Sequence, residues 1–201
     1  HDQAEVTIAG IPLETGESVT LELSRFEIFT ANARVVIGTP DGDVVAGRPT
    51  VALFRGVVAE RPDSLVFLGV SPYGVQGYLR LADGLRIITS GPYTDGLPTV
   101  LYNMATLPPG AINWQPFVCA TDQMEVVSDA DLDGLGSDFG LRDNACRQID
   151  IAVETDYEFT SSLFGGDTNA SAAYATTLLG AIEEIYRRDV DTSMGISYLR
   201  L

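Results

Sequence analysis

The densest chemistry in this sequence sits at Asp129-x-Asp131-x-Asp133-Gly134-x-Gly136-x-Asp138. Carboxylates on alternate residues ending in glycine form the front half of a calcium loop. Their oxygens converge on a hard cation, and glycine permits the sharp turn. An EF-hand would carry glutamate at its twelfth position, where Gly140 stands. The competing reading is an acidic, solvated linker. The chain's two cysteines, Cys119 and Cys146, flank this segment. A disulfide between them would close a loop around it, worth about 3 kcal/mol by loop entropy, and would fit an oxidising location. Partners elsewhere are equally compatible with two cysteines. Histidine occurs once, at His1, so the chain cannot assemble a three-histidine zinc site. Gly165-Gly166 lacks the spacing of a dinucleotide or Walker loop. Asn169-Ala170-Ser171 matches a glycosylation sequon, yet it falls where a helix should start, so helix capping is its expected role. Arg187-Arg188 reads as part of a charged helix flank rather than as a processing site.

The elements that must position these residues change character along the chain. Residues 1–110 are β-rich, with strands expected at Val19–Phe29, Arg34–Gly38, Thr50–Val57, Leu65–Val70, Val75–Leu81, Leu85–Thr89 and Thr99–Tyr102. In the first of these, Val19, Leu21 and Leu23 point one way while Thr20, Glu22 and Ser24 point the other. Turn signals separate the strands, among them Pro40-Asp41-Gly42, Pro62-Asp63-Ser64 and Asp83-Gly84. Short strands at this spacing imply an antiparallel sandwich or rolled sheet. Residues 111–146 read as an exposed acidic connector. In 147–201, Ile149, Ile151 and Val153 alternate as a strand, and Met194, Ile196 and Tyr198 as another. Between them a helix is expected from about Asn169 to Asp189, with Asp167 or Asn169 as its cap. Leu178, Leu179, Ile182, Ile185 and Tyr186 form its apolar stripe. Glu183–Arg187 and Glu184–Arg188 pair on the opposite, solvated face. Strand, helix and strand imply a parallel crossover, and the chain as a whole is of α+β class.

Composition bounds the partners. Net charge is −16, and all twelve basic residues are arginine. Such a surface repels nucleic acid and anionic membranes. It suits an extracellular setting, a divalent cation, or simple solubility. A hydrophobic fraction of 45% fits a globular chain. No run of apolar residues is long enough to span a bilayer.

Two stretches resemble one family, in the order that family has them. SVTLELSRFEIFTANARVVI, then FRGVVAERPDSLVFLGVSPYGVQGYLRLADGLRIITSGP, resemble the propeptide domain preceding reprolysin-type (adamalysin-like, metzincin) zinc metallopeptidases. The shared elements are Phe54-Arg55-Gly56, Pro62-Asp63-Ser64 and the hairpin of Gly74 with Gly77. Residues 147–201 are similar to the opening of the peptidase domain itself. A strand ends in an acidic residue, a helix ends in Glu184-Ile185-Tyr186-Arg187-Arg188-Asp189-Val190, and a strand follows at once.

The resemblance implies a β-rich, sandwich-like propeptide domain over 1–110, a connector over 111–146, and the first βαβ unit of an α/β peptidase domain over 147–201. It implies a secreted parent that hydrolyses peptide bonds in protein or peptide substrates through a zinc-bound water. The zinc ligands and the general-base glutamate would lie outside this chain, so no catalytic residue is assigned here and the chain itself is expected to be inactive. Its first partner would be the rest of the peptidase domain. Family members hold calcium with an acidic residue of the first strand, the position of Asp150. Their propeptides silence the enzyme with a cysteine thiolate on zinc, a role Cys119 would take if it is not bonded to Cys146. Other classes stay open: a propeptide-like binding module without an active peptidase, or an extracellular adhesive β-domain using calcium at Asp129–Asp138.

Overall fold

The structure, a computed structural model, describes residues 4–91, 98–111 and 147–201. Alternating apolar residues build nine strands before the connector: β1 (Glu5–Pro12), β2 (Ser18–Phe26), β3 (Phe29–Thr39), β4 (Gly42–Ala46), β5 (Ala52–Val58), β6 (Arg61–Ser71), β7 (Gly74–Leu81), β8 (Gly84–Thr89) and β9 (Val100–Asn103). After it come β10 (Arg147–Glu154), α1 (Tyr157–Phe164), α2 (Thr168–Val190) and β11 (Thr192–Arg200). The class is α+β. The described residues up to Thr106 and those from Arg147 to Leu201 form one compact unit.

Seven strands form an antiparallel sheet in the order β1-β2-β5-β6-β7-β8-β9. It curls until its two ends share one core. Leu21, Leu23, Val58, Val66, Leu68, Leu79 and Ile88 fill the inside, joined by Val6 and Ile8 from β1 and Leu101 from β9. Arg86, 1% exposed, fastens the curl. It pairs with Asp83 and with Glu14, and Glu14 also accepts from Asn103 Nδ2 at 2.8 Å. These contacts hold the Glu14 carboxyl below its ordinary range, the Arg86 hydrogen bond most of all.

The sheet's other face is covered by α2, where a sandwich would set a second antiparallel sheet. Phe26, Leu53 and Phe67 from this face join Val35, Ala172, Ala175, Ile196 and Leu199 in a second core. That core is shared with a four-stranded sheet ordered β10-β11-β3-β4. β10 and β11 are parallel, as the crossover requires, and β11 is parallel to β3. Strands from both sides of the connector therefore hydrogen-bond in one sheet. The chain changes sheets at Glu27–Ile28, so the expected single strand Val19–Phe29 is two.

Three elements were not expected. β1 carries Gly10 at φ +76 and a register shift between Ile8 and Ile11, a bulge that breaks its alternation. β4 leaves Val44 and Val45 exposed and exists only as the partner of β3. α1 is eight residues capped by Asp156, whose carboxylate accepts from Phe159 N. It packs through Phe159 and Phe164 on Tyr174, at centroid distances of 6.1 and 5.6 Å.

α2 turns inward a face rotated from the one its periodicity selects: of the expected stripe, Leu179 packs against the second core and Ile182 is half-buried, while the other three residues face solvent. Leu178, Ile185 and Tyr186 are 48%, 40% and 45% exposed, while Glu183 and Glu184 are 5% and 3%. Close approach decides this. A Cβ on Gly69 would lie 2.3 Å from Thr177 Cγ2, and one on Gly180 would lie 2.8 Å from Leu53 Cδ1. The small face of Ala172, Ala173, Thr176, Thr177 and Gly180 lets the helix sit deep between both sheets. A ridge of leucine and isoleucine would hold it off.

Candidate functional site

The expected metal and cysteine positions fall mostly outside the described residues: Asp129, Asp131, Asp133, Asp138, Cys119, Cys146 and His1 all do. Asp150 lies exposed on β10, an edge strand, and accepts a hydrogen bond from Gln148 Nε2 at 3.2 Å. Among the described residues, no three His, Cys, Asp or Glu side chains come close enough together to hold a metal ion.

The cap of α2 is Asp167, whose Oδ1 accepts from Asn169 N and Ala170 N at 2.9 and 3.1 Å. Asn169, the other expected cap, is instead exposed in the first turn, two residues past the cap, and donates one of those amides. Ser171 of the same sequon is buried, with its hydroxyl 2.8 Å from that of Thr160. The arginines of the expected i,i+4 pairs, Glu183–Arg187 and Glu184–Arg188, take other partners. Arg187 binds Glu184 and Arg188 binds Asp189, because Glu183 faces the sheet.

There Glu183 meets Arg55, the central residue of Phe54-Arg55-Gly56. β5 alternates, so Leu53 and Arg55 face α2. Arg55 Nη1 lies 3.1 Å from Glu183 Oε2 and 3.5 Å from Glu184 Oε2. Its guanidinium carbon stands 4.6 Å from the centroid of the Phe26 ring. Glu184 takes a second cation, Arg187 Nη2 at 2.8 Å. Two arginines, Arg55 half-buried and Arg187 with a more exposed side chain, thus face two buried carboxylates. Burial pushes the Glu183 carboxyl above its ordinary range; Arg55 opposes that rise, and the Glu184 charge adds to it.

This cluster is a clamp rather than an acid–base pair. Both carboxylates are almost fully buried and bonded to arginine, so neither offers a proton to a substrate. A cleft of about 190 Å³ beside it is lined by Phe26–Thr30, Arg55, Gln148, Glu183 and Ser193–Gly195. A larger one, about 860 Å³, opens at the end of the curled sheet between Glu17, Arg61, Asp63, Arg80 and Asp83. Its Pro62-Asp63-Ser64 stretch, expected as a turn, is the start of β6, the turn itself falling at Ala59-Glu60. Ser64 Oγ accepts from Val58 N at 2.7 Å and donates to Arg61 O at 2.6 Å.

A pH dependence follows from the raised Glu183 pKa. A carboxyl that holds its proton more tightly when folded adds stability below its ordinary pKa. That stability is lost as pH rises through the raised value. Glu14, Asp43, Asp83 and Asp189 are held low by arginine and act in the opposite direction, but equally in wild type and in Glu183→Gln. The stability of wild type relative to Glu183→Gln should therefore fall between about pH 5 and pH 7.5. Urea midpoints of both proteins at the two pH values check this, and a difference that grows with pH would refute it.

No family model matches this sequence, and no curated protein matches it.

Proposed function

We propose that the chain joins the latency propeptide of a secreted zinc metalloendopeptidase to the opening βαβ unit of its peptidase domain. One observation carries this reading. The two stretches with the family resemblance touch through the residues that carry it: Arg55 of Phe54-Arg55-Gly56 binds Glu184, which opens the Glu-Ile-Tyr-Arg-Arg-Asp-Val helix end, and Glu183 beside it. The parallel order of β10, α2 and β11 also supports it, since the peptidase opening would be built that way.

The residues present do not fit zinc. The chain has a single histidine, and no ligand trio occurs among the described residues. The zinc, its ligands and the general base therefore belong to the parent beyond this chain. Here the residues position and cover. β3 and β4 extend the peptidase sheet beyond β11, and Arg55 holds its first long helix. Cys119 would either ligate the parent's zinc or bond Cys146, and Asp150 would offer one carboxylate to calcium. No helix among the described residues is long and apolar enough to cross a membrane.

The expected result for the purified chain is no cleavage of casein, with or without added zinc; chelator-sensitive cleavage would overturn the reading. The coding sequence that follows Leu201 gives a second test. A His-Glu-x-x-His-x-x-Gly-x-x-His string is expected within roughly the next hundred residues, and an open reading frame without it would leave a binding module.

A further inference from the structure

We infer that β4 is a self-pairing edge: two copies of this chain join their β4 strands antiparallel about a two-fold axis, running their four-stranded sheets into one. The pairing needs only this edge and the charges at its ends, so it stands or falls separately from the proposed function.

The edge has the composition of an inner strand. β4 ends the sheet β10-β11-β3-β4, and its outer side meets no strand among the described residues. Its neighbour β3 carries Val35 and Val36, which point to opposite faces and are both buried. An apolar run without alternation marks a strand covered on both faces. β4 repeats that run with Val44 and Val45, in register with Ile37 and Val36, yet these two valines are exposed. Folded proteins guard such an edge with a free charge, a proline or a bulge. β4 has no proline, and its ladder with β3 runs without a register shift. Its one charged residue, Asp43, is turned back onto its own sheet: Tyr198 Oη donates to it at 3.0 Å and Arg200 Nε at 2.9 Å.

Charge and symmetry name the occupant. Asp41 stands exposed in the turn before β4. Arg48 follows the strand. It is held by the carbonyls of Thr30 and Ala31 at 2.7 and 2.9 Å and lies 5.5 Å from the centroid of Phe29, with no carboxylate partner among the described residues. An antiparallel two-fold sets the acidic end of each β4 beside the basic end of the other, so each charge meets its opposite. With the axis at Val44 or Val45, that valine faces its own copy, as an isologous contact requires. A strand with a single kind of charge would suit only one of the two ends. The chain beyond Leu201 starts on the other side of β3, where Leu201 N donates to Val36 O and Gly38 N to Leu201 O. Five residues a side bury less than the roughly 1,600 Å² of a standard interface, so the dimer is weak and forms at micromolar concentration. The net charge of −16 on each copy opposes it, and salt screens that long-range repulsion.

The test is sedimentation equilibrium of the whole chain, from low micromolar to a few hundred micromolar, at low and high salt. A non-reducing gel first excludes copies linked through cysteine. A reversible monomer–dimer equilibrium is expected, tighter at high salt. Val45→Lys should weaken it at least tenfold, and Asp41→Arg, which sets a cation beside Arg48 of the other copy, severalfold. Val45 and Asp41 are exposed, so neither change disturbs a core. Leu178→Lys, on the exposed ridge of α2, should leave the dimer unchanged. A monomer under every condition would overturn the inference. So would a dimer that Val45→Lys leaves intact, or one lost in Leu178→Lys instead. Growth beyond the dimer would mean that β4 pairs with β10, the other edge of the sheet, and would overturn the two-fold.

Discussion

Replacing Arg55 with alanine should lower the stability of the chain by about 3 kcal/mol, more than any other single change at the clamp. The expected loss comes less from the bonds removed than from the charges left behind. Glu183 and Glu184 are 5% and 3% exposed, and a buried carboxylate without its cation costs several kcal/mol. Arg187 still serves Glu184, so Glu183 is the one stranded. That predicts a rescue: Arg55→Ala combined with Glu183→Gln should recover much of the loss, since both partners are then neutral. The deficit of Arg55→Ala should also shrink toward acid pH, where Glu183 takes up its proton. Arg55→Lys should fall between, because an ammonium cannot fork across two carboxylates and loses the stacking on Phe26. Urea melts of the four proteins measure this. A change below about 0.5 kcal/mol in Arg55→Ala would place the site among weak surface pairs.

Filling the space beneath α2 should be nearly as costly. A Cβ on Gly69 would lie 2.3 Å from Thr177 Cγ2 and 2.8 Å from its Oγ1. Helix and sheet must separate to admit it, and overpacking of this kind costs about 1–3 kcal/mol for alanine, more for valine. Thr177→Ala removes the two nearest atoms and should restore part of the loss in Gly69→Ala; Thr177 Cβ, at 3.0 Å, limits the recovery. Gly47→Ala is the control, because a Cβ there meets nothing within 4 Å. Thermal melts should show Gly47→Ala within error of wild type and Gly69→Val several degrees below it. If the two behaved alike, the close seat of α2 would not be what sets its face.

That face is where the sequence was least legible. Period-2 alternation located β5 to β8 within a few residues, because each strand sets one set of side chains in the curled core. The long helix was legible for the same reason, in its 3.6 period. Which side it buries was not. Leu178, Ile185 and Tyr186 look like a core stripe, but the deciding feature is Gly69, more than a hundred positions away. Glu183 and Glu184 read as surface charge because their cation, Arg55, is 128 residues distant from Glu183. Phe54-Arg55-Gly56 stood out as a motif, yet nothing local told what the arginine meets. The same limit hid the sharing of β3: parallel pairing is a long-range fact, and neither strand announces its partner.

The most direct measurement takes the longer protein that the proposed function calls for, folded with the β block in place and then cut in the connector. Zinc content and hydrolysis of casein are followed before and after the 1–111 piece is stripped away in mild denaturant. The account predicts one zinc per chain throughout, no hydrolysis while the piece is bound, and chelator-sensitive hydrolysis once it is gone. A parent that binds no zinc, or that cleaves equally well with the β block in place, would contradict it.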